Sequence, residues 1–138
     1  MILLVRHASA GDRASWEGDD RLRPLDERGA RQAQGLVDAL AEYELGRILS
    51  SPYLRCVQTV EPLAAARGLP VEPRDELAEG RQYDDAGALL RSLGSEPVAV
   101  CTHGGVPELI GCDARYKKGE TLVLGPEREL LRSIPPPA

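Results

Sequence analysis

Short apolar runs alternate along the chain with longer segments in which apolar residues recur at helical spacing. Buried strands are predicted by the runs MILLVR, RILSS and EPVAVCTHGG and by the start of LPVEPRDELAEG. Helices are predicted by the segments DERGARQAQGLVDALAEYEL, PYLRCVQTVEPLAAARG and DDAGALLRSLG. Strands that alternate with helices indicate an α/β fold, in which a parallel-rich sheet carries helices on both faces.

Local residue types predict where the first two helices begin and end. Asp26 is a suitable N-cap for the first helix, with Pro24 just upstream, and Gly46 is expected to stop it. The second helix is expected to end at Gly68. Pro62 lies inside its apolar pattern, and we expect a kink or a break there because proline cannot donate the helical hydrogen bond.

The C-terminal third predicts a short helix and a last pair of elements. The short helix is VPELIGC, which follows a double glycine. The segment ETLVLGPERELLRSI predicts a hairpin that turns at Gly125 and Pro126, or a strand with a short tail. We expect one domain over residues 1–134, followed by a disordered Pro-rich tail at residues 135–138.

Composition excludes several classes of protein. The formal net charge of −5 argues against a partner that is a nucleic-acid polymer, although a local arginine cluster can still bind a phosphorylated substrate. Cys56, Cys101 and Cys112 show no CxxC spacing, which argues against a zinc site or a disulfide framework. Arg6 and His7 interrupt the apolar start before a signal peptide could form, and no apolar run reaches the about 20 residues of a membrane span. We therefore expect a cytoplasmic protein without a membrane partner.

The two histidines of the chain each end a predicted strand. His7 follows the first apolar run and His103 follows the fourth. A lone histidine is more often structural or solvated than catalytic. Ligands of α/β sheets, however, bind beyond the carboxyl ends of the strands, so the placement of both histidines there predicts a common site.

Arginines near the same strand ends predict that this site binds phosphate. Arg6 precedes His7, and Arg55 lies one turn into the helix that follows the second strand. Guanidinium groups bind phosphate oxygens in bidentate geometry, and backbone N–H groups near Gly104 could add to them. Four further side chains are candidates for the same site. Arg21, Arg23 and Arg81 could extend the pocket, and Trp16 could stack on a substrate ring, although covering the edge of the core is the favoured role for Trp16.

Five short motifs occur in the order seen in the histidine phosphatase superfamily, which also contains the phosphoglycerate mutases. They are VRHASAG, LDERGARQAQ, SSPYLRCVQT, ELAE and THGG, and the resemblance runs from residue 2 to about residue 125. The small size resembles the phosphohistidine phosphatase branch, and GDDRLRPLDERG resembles the phosphatase domain that follows a Nudix domain in some bacterial proteins. The resemblance implies a three-layer α/β sandwich with a mostly parallel central sheet, helices on both faces and a minimal lid.

The resemblance also implies roles for individual residues. His7 matches the nucleophile, Arg6 and Arg55 match the arginines that clamp the phosphate, and His103 matches the second histidine of the pocket. Glu79 matches the proton donor. The resemblance thus implies a catalytic set of His7, Glu79 and His103.

The chain departs from the family pattern in two places. Ala8 stands where the family usually has glycine. No long insertion separates the second strand from Glu79, so little chain is available for a lid and we expect an open site. Glu76, three residues earlier, is the alternative proton donor.

These residues predict a metal-independent phosphatase that works through a phosphohistidine on His7, because arginines supply the positive charge that phosphoryl transfer needs. No cofactor is expected, and the substrate would be a phosphohistidine protein or a small phosphorylated metabolite or nucleotide. The oligomeric state is not indicated. Phosphoglycerate mutase activity is disfavoured because it needs an enclosed pocket.

Two alternative hypotheses, each from another class of protein, remain open. The first is a non-catalytic phosphate-binding or interaction module on the same fold, although a binder would not need a nucleophile. The second is a metal site formed by His7 and His103 with Asp12 or Glu79, which is weak because the histidines lack HxH or HxxxH spacing. Activity that survives EDTA would exclude the metal site.

Overall fold

The predicted strands lie in one mixed sheet. The computed structural model describes residues 1–79, 83–105 and 116–138, and within them the sheet has six strands. The strands are β1 (Ile2–Arg6), β2 (Arg47–Ser50), β3 (Val71–Pro73), β4 (Val98–Thr102), β5 (Thr121–Leu124) and β6 (Leu130–Ile134). The helices are α1 (Glu27–Ala39), α2 (Leu54–Arg67) and α3 (Tyr83–Ser92), with single 3₁₀ turns at Arg13–Ser15, Asp20–Leu22 and Asp75–Leu77. The predicted helix VPELIGC lies outside the described residues.

The strand order brings the ends of β1 and β4 together. The order is β3-β2-β4-β1-β5-β6, with the first four strands parallel to one another. Arg6, the last residue of β1, lies opposite Thr102, the last residue of β4. Strands β5 and β6 pair antiparallel with each other, which confirms the hairpin and excludes the strand with a short tail. The mostly parallel sheet predicted from the sequence is therefore confirmed.

Alternating side chains of the strands fill two apolar layers, one on each face of the sheet. Leu3 and Val5 of β1 pack with α1 and α2, whereas Ile2 and Leu4 pack with α3. This alternation is the period of two expected of a strand that is buried on both faces. The three-layer α/β sandwich is confirmed, and it leaves the strand ends as the place where polar side chains gather.

The first helix begins where expected and ends earlier. The Asp26 side chain accepts a hydrogen bond from the Gly29 N–H (2.8 Å), which is the predicted N-cap. The prediction that Gly46 stops the helix is wrong, because α1 ends at Ala39. The following N–H groups bond three residues back instead of four, from Ala41 to Asp38 and from Tyr43 to Leu40, so the chain tightens into turns before it reaches the glycine.

The second helix passes through its proline without a break. Helix α2 continues from Leu54 to Arg67 and ends at Gly68, whose φ of 65° lies in the left-handed region. The expected break at Pro62 does not occur. Val60 and Leu63, on either side of Pro62, are completely buried against the sheet, and this packing outweighs one missing hydrogen bond.

The chain ends against the first helix. Residues 135–138 have no regular secondary structure. Pro137 lies so close to α1 that a Cβ added at Gly35 would be 2.5 Å from the Pro137 Cβ. Among the described helices, none is long and apolar enough to cross a membrane.

Candidate active site

The two histidines meet at the carboxyl edge of the sheet. His7 follows β1, His103 follows β4, and their ring centroids are 5.5 Å apart with an angle of 64° between the planes. The His7 N–H donates to the Thr102 carbonyl (3.1 Å), which extends the pairing of the two strands by one residue. Both side chains are buried, with residue exposures of 6% for His7 and 8% for His103. Adjacent parallel strands thus hold two imidazoles side by side.

One ring nitrogen of His7 is fixed by a hydrogen bond, and the other has no hydrogen bond with the described residues. The Nδ1 lies 2.9 Å from the Ala8 carbonyl oxygen, which can only accept, so Nδ1 carries the proton. Burial is the main cause that lowers the pKa of His7 from 6.5 to about 3, and the nearby positive charges lower it further against the opposing effect of the Ala8 bond. The ring is therefore neutral at physiological pH, with a lone pair on Nε2.

Arg55 lies in the first turn of α2 and is completely buried. Its Nη2 donates to the Glu79 Oε2 (2.5 Å) and lies 3.2 Å from the Asp20 Oδ2. Its Nη1 donates to the Asp20 carbonyl oxygen (2.9 Å). The guanidinium therefore ties together the end of β2, the long loop after β1 and the segment that carries Glu79.

Arg6 lies against the backbone that follows β4. Its Nη1 donates to the Tyr116 carbonyl oxygen (2.8 Å), and the Tyr116 hydroxyl donates to the His103 carbonyl oxygen (2.7 Å). A Cβ added at Gly104 would lie 3.1 Å from the Arg6 Cζ, so glycine lets the guanidinium approach the backbone closely. These contacts place the Arg6 guanidinium beside the loop that carries His103.

His103 is held from the core side through Nε2. The Ser51 hydroxyl lies 3.0 Å from Nε2, and the Cys56 sulfur lies 3.6 Å from it. The opposite ring nitrogen, Nδ1, lies 3.4 Å from the Glu79 Oε2. The ring thus presents Nδ1 to the site.

Three buried nitrogen atoms at this edge have no hydrogen-bond partner among the described residues. They are the Nε of Arg6, the Nε of Arg55 and the Nδ1 of His103. Burying such groups without partners is unfavourable in a folded protein, and most proteins avoid it. All three belong to residues whose charges act on His7, and this arrangement fits a site for an anion with several oxygens.

Glu79 lies at the rim of the site between two arginines. Its side chain is one-third exposed, and its Oε1 accepts from Arg13 Nη2 (2.5 Å) while its Oε2 accepts from Arg55. Burial alone would raise the pKa of Glu79, but the Arg13 hydrogen bond and the neighbouring positive charges lower it below the usual value. The carboxyl group is ionised in this arrangement. Glu76 forms an ion pair with Arg74 (3.1 Å), whereas Glu79 contacts Arg55 and lies 3.4 Å from the His103 Nδ1.

The other candidate arginines have different positions. Arg23 is buried, donating to the Ala10 carbonyl (2.5 Å) and pairing with Asp20 (2.9 Å), so it braces the loop after β1. Arg21 is exposed and pairs with Asp19 (2.7 Å). Arg81 lies outside the described residues. The geometry places Arg23 in the support of the site and leaves Arg21 at the surface.

Trp16 lies in the loop after β1 and is not one of the buried core residues. Trp16 is 38% exposed, and its indole N–H donates to the Asp19 carbonyl (3.0 Å) within the same loop.

The Asp12 carboxylate, a candidate metal ligand, caps the adjacent 3₁₀ turn by accepting from the Ala14 N–H (2.9 Å). In the described ranges no group of three or more His, Cys, Asp or Glu side chains is arranged to hold a metal ion.

The cysteines near the site are buried thiols. Burial is the main cause that raises the pKa of Cys101 well above its usual range, as expected for a structural thiol. Cys56 differs: burial raises its pKa, but hydrogen bonds with Cys101 and His103 outweigh this effect and lower the value to about 6. Cys112 lies outside the described residues.

Sequence reasoning missed several side chains at this edge. Ser51 directly follows β2, so the strand-end rule that found the histidines could have found it. Tyr53 and Thr59 lie within the SSPYLRCVQT motif, where only Arg55 was singled out. Arg13 and Asp20 had no signal, because they lie in an irregular loop whose contacts depend on the whole fold. The missed residues are Arg13, Asp20, Ser51, Tyr53, Cys56 and Thr59.

A model of the histidine phosphatase superfamily (branch 1) matches residues 2–88. The chain is 40% identical over 129 residues to an 8-oxo-(d)GTP phosphatase of Mycolicibacterium smegmatis, covering 87% of this chain and 40% of that protein. It is 31% identical over 102 residues to phosphohistidine phosphatase SixA of Escherichia coli, covering 71% of this chain and 62% of that protein. The chain thus spans less than two thirds of the length of either relative.

Solved structures of similar fold cover nearly the whole chain. The protein histidine phosphatase SixA complexed with tungstate superposes with a TM-score of 0.82 at 22% identity, over 98% of this chain and 96% of that chain. A putative phosphohistidine phosphatase SixA from Agrobacterium tumefaciens gives 0.81 at 24% identity, over 98% and 97%. At this level of identity the likeness concerns the fold alone.

Proposed function

The chain belongs to the histidine phosphatase superfamily, and from this premise we propose that it is a metal-independent phosphatase with His7 as its nucleophile. The reaction is hydrolysis of a phosphate ester or a phosphoramidate through a phosphohistidine intermediate. The observation that carries the proposal is a set of three buried nitrogen atoms without a hydrogen-bond partner among the described residues. They belong to Arg6, Arg55 and His103, whose charges act on the neutral His7 ring.

The phosphoryl group binds between these nitrogen atoms. Arg6, Arg55 and His103 donate hydrogen bonds to its oxygens, and the two guanidinium groups offset its negative charge. The groups are already in place in the folded chain, so little reorganisation is needed when charge develops in the transition state. A metal ion is not needed for this stabilisation.

The first chemical step forms a bond between His7 and phosphorus. The Nε2 lone pair attacks the phosphorus atom, the bond from phosphorus to the leaving oxygen or nitrogen breaks, and the leaving atom takes a proton from Glu79. In the second step Glu79 removes a proton from water as the water oxygen attacks phosphorus. The bond between phosphorus and Nε2 then breaks, which releases phosphate and restores neutral His7.

Glu79 needs a change of state to act as the acid. Arg13 and Arg55 keep it ionised in the free protein. A bound phosphate dianion competes for Arg55 and adds negative charge beside the carboxylate, and both effects raise the pKa of Glu79. The substrate itself therefore favours the protonated form that the first step requires.

The substrate is a phosphohistidine protein or a small phosphorylated metabolite or nucleotide. One relative is described as an 8-oxo-(d)GTP phosphatase and another as a phosphohistidine phosphatase, which supports both classes for this chain. Among the described residues, the partly exposed Glu79 and the exposed Arg13 leave this side of the site accessible to solvent, and such a side can accept a protein side chain as well as a small molecule.

Phosphate release in the presence of EDTA tests the proposal. The panel holds a phosphohistidine protein, nucleoside mono-, di- and triphosphates, sugar phosphates and phosphoglycerates, each with the wild type and with His7→Ala. Turnover is expected to fall by at least about 10⁴-fold in His7→Ala while the unfolding midpoint stays close to that of the wild type. A ³¹P resonance of phosphohistidine, present in the wild type and absent in the variant, identifies the intermediate.

Two outcomes would contradict the proposal. Undiminished turnover in a folded His7→Ala variant would exclude His7 as the nucleophile. Binding of inorganic phosphate without turnover of any substrate would support a non-catalytic phosphate-binding module on the same fold.

A further inference from the structure

Tyr53 contacts three groups of the site at once. It lies at the N-cap of α2, two residues before Arg55, and its side chain is half-buried. The Arg55 Cζ lies 4.9 Å from the centroid of the Tyr53 ring, and the His103 ring lies 4.9 Å away at 75°. The Tyr53 hydroxyl donates to the Glu79 carbonyl oxygen (3.4 Å).

The ring supports the Arg55 guanidinium from one side. Asp20 and Glu79 accept hydrogen bonds from its terminal nitrogen atoms. The Arg55 Cζ also lies over the Tyr53 ring, which limits how far the guanidinium can move towards that side. The attraction between a cation and the ring face adds to this support. Tyr53 therefore limits the positions from which Arg55 can donate to a phosphate.

The same turn supports His103 from two directions. The Tyr53 ring meets the His103 ring edge to face, an arrangement that aromatic pairs favour. The Tyr53 N–H donates to the Ser51 hydroxyl (3.3 Å), and that hydroxyl also holds the Nε2 of His103. Both contacts orient the His103 ring so that Nδ1 faces the site.

The hydroxyl group extends the support to the proton donor. Glu79 lies in the segment that follows the Asp75–Leu77 turn, and the bond from Tyr53 to its carbonyl connects that segment to the start of α2. The bond acts on the backbone of Glu79 and leaves the carboxyl group free to exchange its proton. The ring and the hydroxyl of Tyr53 therefore act on different steps of the reaction.

We propose that Tyr53 is a positioning residue that aligns Arg55 and His103 for phosphate binding through its ring and Glu79 for proton transfer through its hydroxyl. The proposal rests on the proposed function for the assignment of the three groups. It predicts two separable effects, because the ring and the hydroxyl can be removed one at a time.

Tyr43 offers a matched control in the same chain. Its ring is also partly buried against the core, and the Arg132 Cζ lies 5.9 Å from its centroid. Arg132 pairs with Glu42 (3.8 Å) at the surface, and none of these residues contacts the site. Loss of the Tyr43 ring therefore tests what removal of a half-buried tyrosine does by itself.

The experiment measures binding of inorganic phosphate and the dependence of turnover on the leaving group. In Tyr53→Leu we expect phosphate to bind about tenfold more weakly, the effect of losing a cation–ring contact in a partly desolvated site. In Tyr53→Phe the affinity should stay within about twofold of the wild type. The ratio of kcat for an alkyl phosphate to kcat for para-nitrophenyl phosphate should fall about threefold to tenfold in Tyr53→Phe, as for one lost hydrogen bond. Tyr43→Leu should change neither quantity.

The outcomes separate this proposal from the proposed function. Phosphate binding needs no turnover, so it tests the ring even if the wild type hydrolyses nothing. Wild-type affinity in a folded Tyr53→Leu variant, or an equal loss in Tyr43→Leu, would overturn the role of the ring. An unchanged leaving-group ratio in Tyr53→Phe would overturn the role of the hydroxyl, and this arm decides the question if Tyr53→Leu does not fold.

Discussion

Two ion clusters lie at opposite ends of β2 and differ in what surrounds them. Each combines one arginine with two carboxylates from other elements. Arg47 opens β2 and pairs with Glu72 (3.0 Å) and Glu96 (3.4 Å), whereas Arg55 follows β2 and pairs with Glu79 (2.5 Å) and Asp20 (3.2 Å). Because each cluster has one arginine and two carboxylates, the two clusters can be compared directly.

Exposure is the main difference between the clusters. The side chain of Arg47 is 32% exposed, while that of Arg55 is 0% exposed. Water solvates and screens the charges of the Arg47 cluster, so this cluster contributes little to stability. Its polar groups can form their hydrogen bonds with water. Arg55 has lost its hydration, yet its Nε has no hydrogen-bond partner among the described residues. A buried charge with an unused hydrogen-bond donor contributes little to stability, but it is well suited to binding an anion.

The largest effect should come from neutralising the two arginines one at a time. Arg55→Met should lower kcat/KM by about 10²- to 10³-fold, because it removes a fixed donor to the developing charge. Arg47→Met should leave kcat/KM within about twofold of the wild type. The free energy of unfolding should change little in either variant, since the carboxylates left behind are partly exposed.

Steady-state kinetics on the best substrate of the panel, with unfolding curves of both variants, check this prediction. Equal kinetic losses in Arg55→Met and Arg47→Met would mean that the buried cluster has no special role. A large loss of stability in Arg55→Met alone would mean that the cluster holds the fold together.

The contrast also explains what the sequence could predict. Strand β1, strand β4 and the Asp26 cap follow from local patterns, and adjacent parallel strands then bring His7 and His103 together by a general rule. The same rule separates Arg55, which lies beyond the carboxyl end of β2, from Arg47 at its amino end, but it does not report how deeply either side chain is buried. The difference in burial between Arg47 and Arg55 arises only when the long loop after β1 folds over Arg55.

The parts that were missed depend on the same loop and on packing. Arg13 and Asp20 reach Glu79 and Arg55 from 3₁₀ turns without any periodic pattern. The uninterrupted course of α2 through Pro62 depends on burial of both flanks, which propensity alone does not report. Elements whose ends are set by tertiary contacts were therefore predicted less well than elements whose ends carry their own residue signals.

One carboxylate from each cluster, Glu79 beside Arg55 and Glu72 beside Arg47, should also differ, with a smaller effect. Glu79→Gln should lower kcat for an alkyl phosphate by about 10²-fold, because an alkoxide leaves poorly without a proton from the general acid. The same variant should lower kcat for para-nitrophenyl phosphate by less than about tenfold, since that leaving group hardly needs protonation. Glu72→Gln, in the exposed cluster, should affect neither substrate.

A comparison of both substrates with both variants provides the measurement. Equal losses on the two substrates in Glu79→Gln would assign the residue to binding and not to proton transfer. A leaving-group effect in Glu72→Gln would show that the amino ends of the strands influence the chemistry, against the contrast drawn between the clusters.

The smallest effect concerns pH and links the buried cluster to His7. Burial holds the pKa of His7 at about 3 in the folded protein, against 6.5 as the ordinary value, and the charge of Arg55 lowers it further. Between pH 6.5 and about 3 the unfolded chain therefore binds a proton that the folded chain does not. Stability from this difference is fully present above pH 6.5 and is lost as the pH falls towards 3.

Two measurements test this pH dependence of stability and its electrostatic cause. The free energy of unfolding of His7→Gln should fall less steeply than that of the wild type between pH 6.5 and 4, as measured by denaturant titrations. Removal of the Arg55 charge should raise the pKa of His7, so its ring resonances should titrate at a higher pH in Arg55→Met than in the wild type. Arg47→Met should leave that titration unchanged because its charge lies at the far end of β2. Equal shifts of the His7 pKa in the two variants would mean that His7 responds only to the net charge of the protein. The buried Arg55 would then have no specific electrostatic effect on the nucleophile.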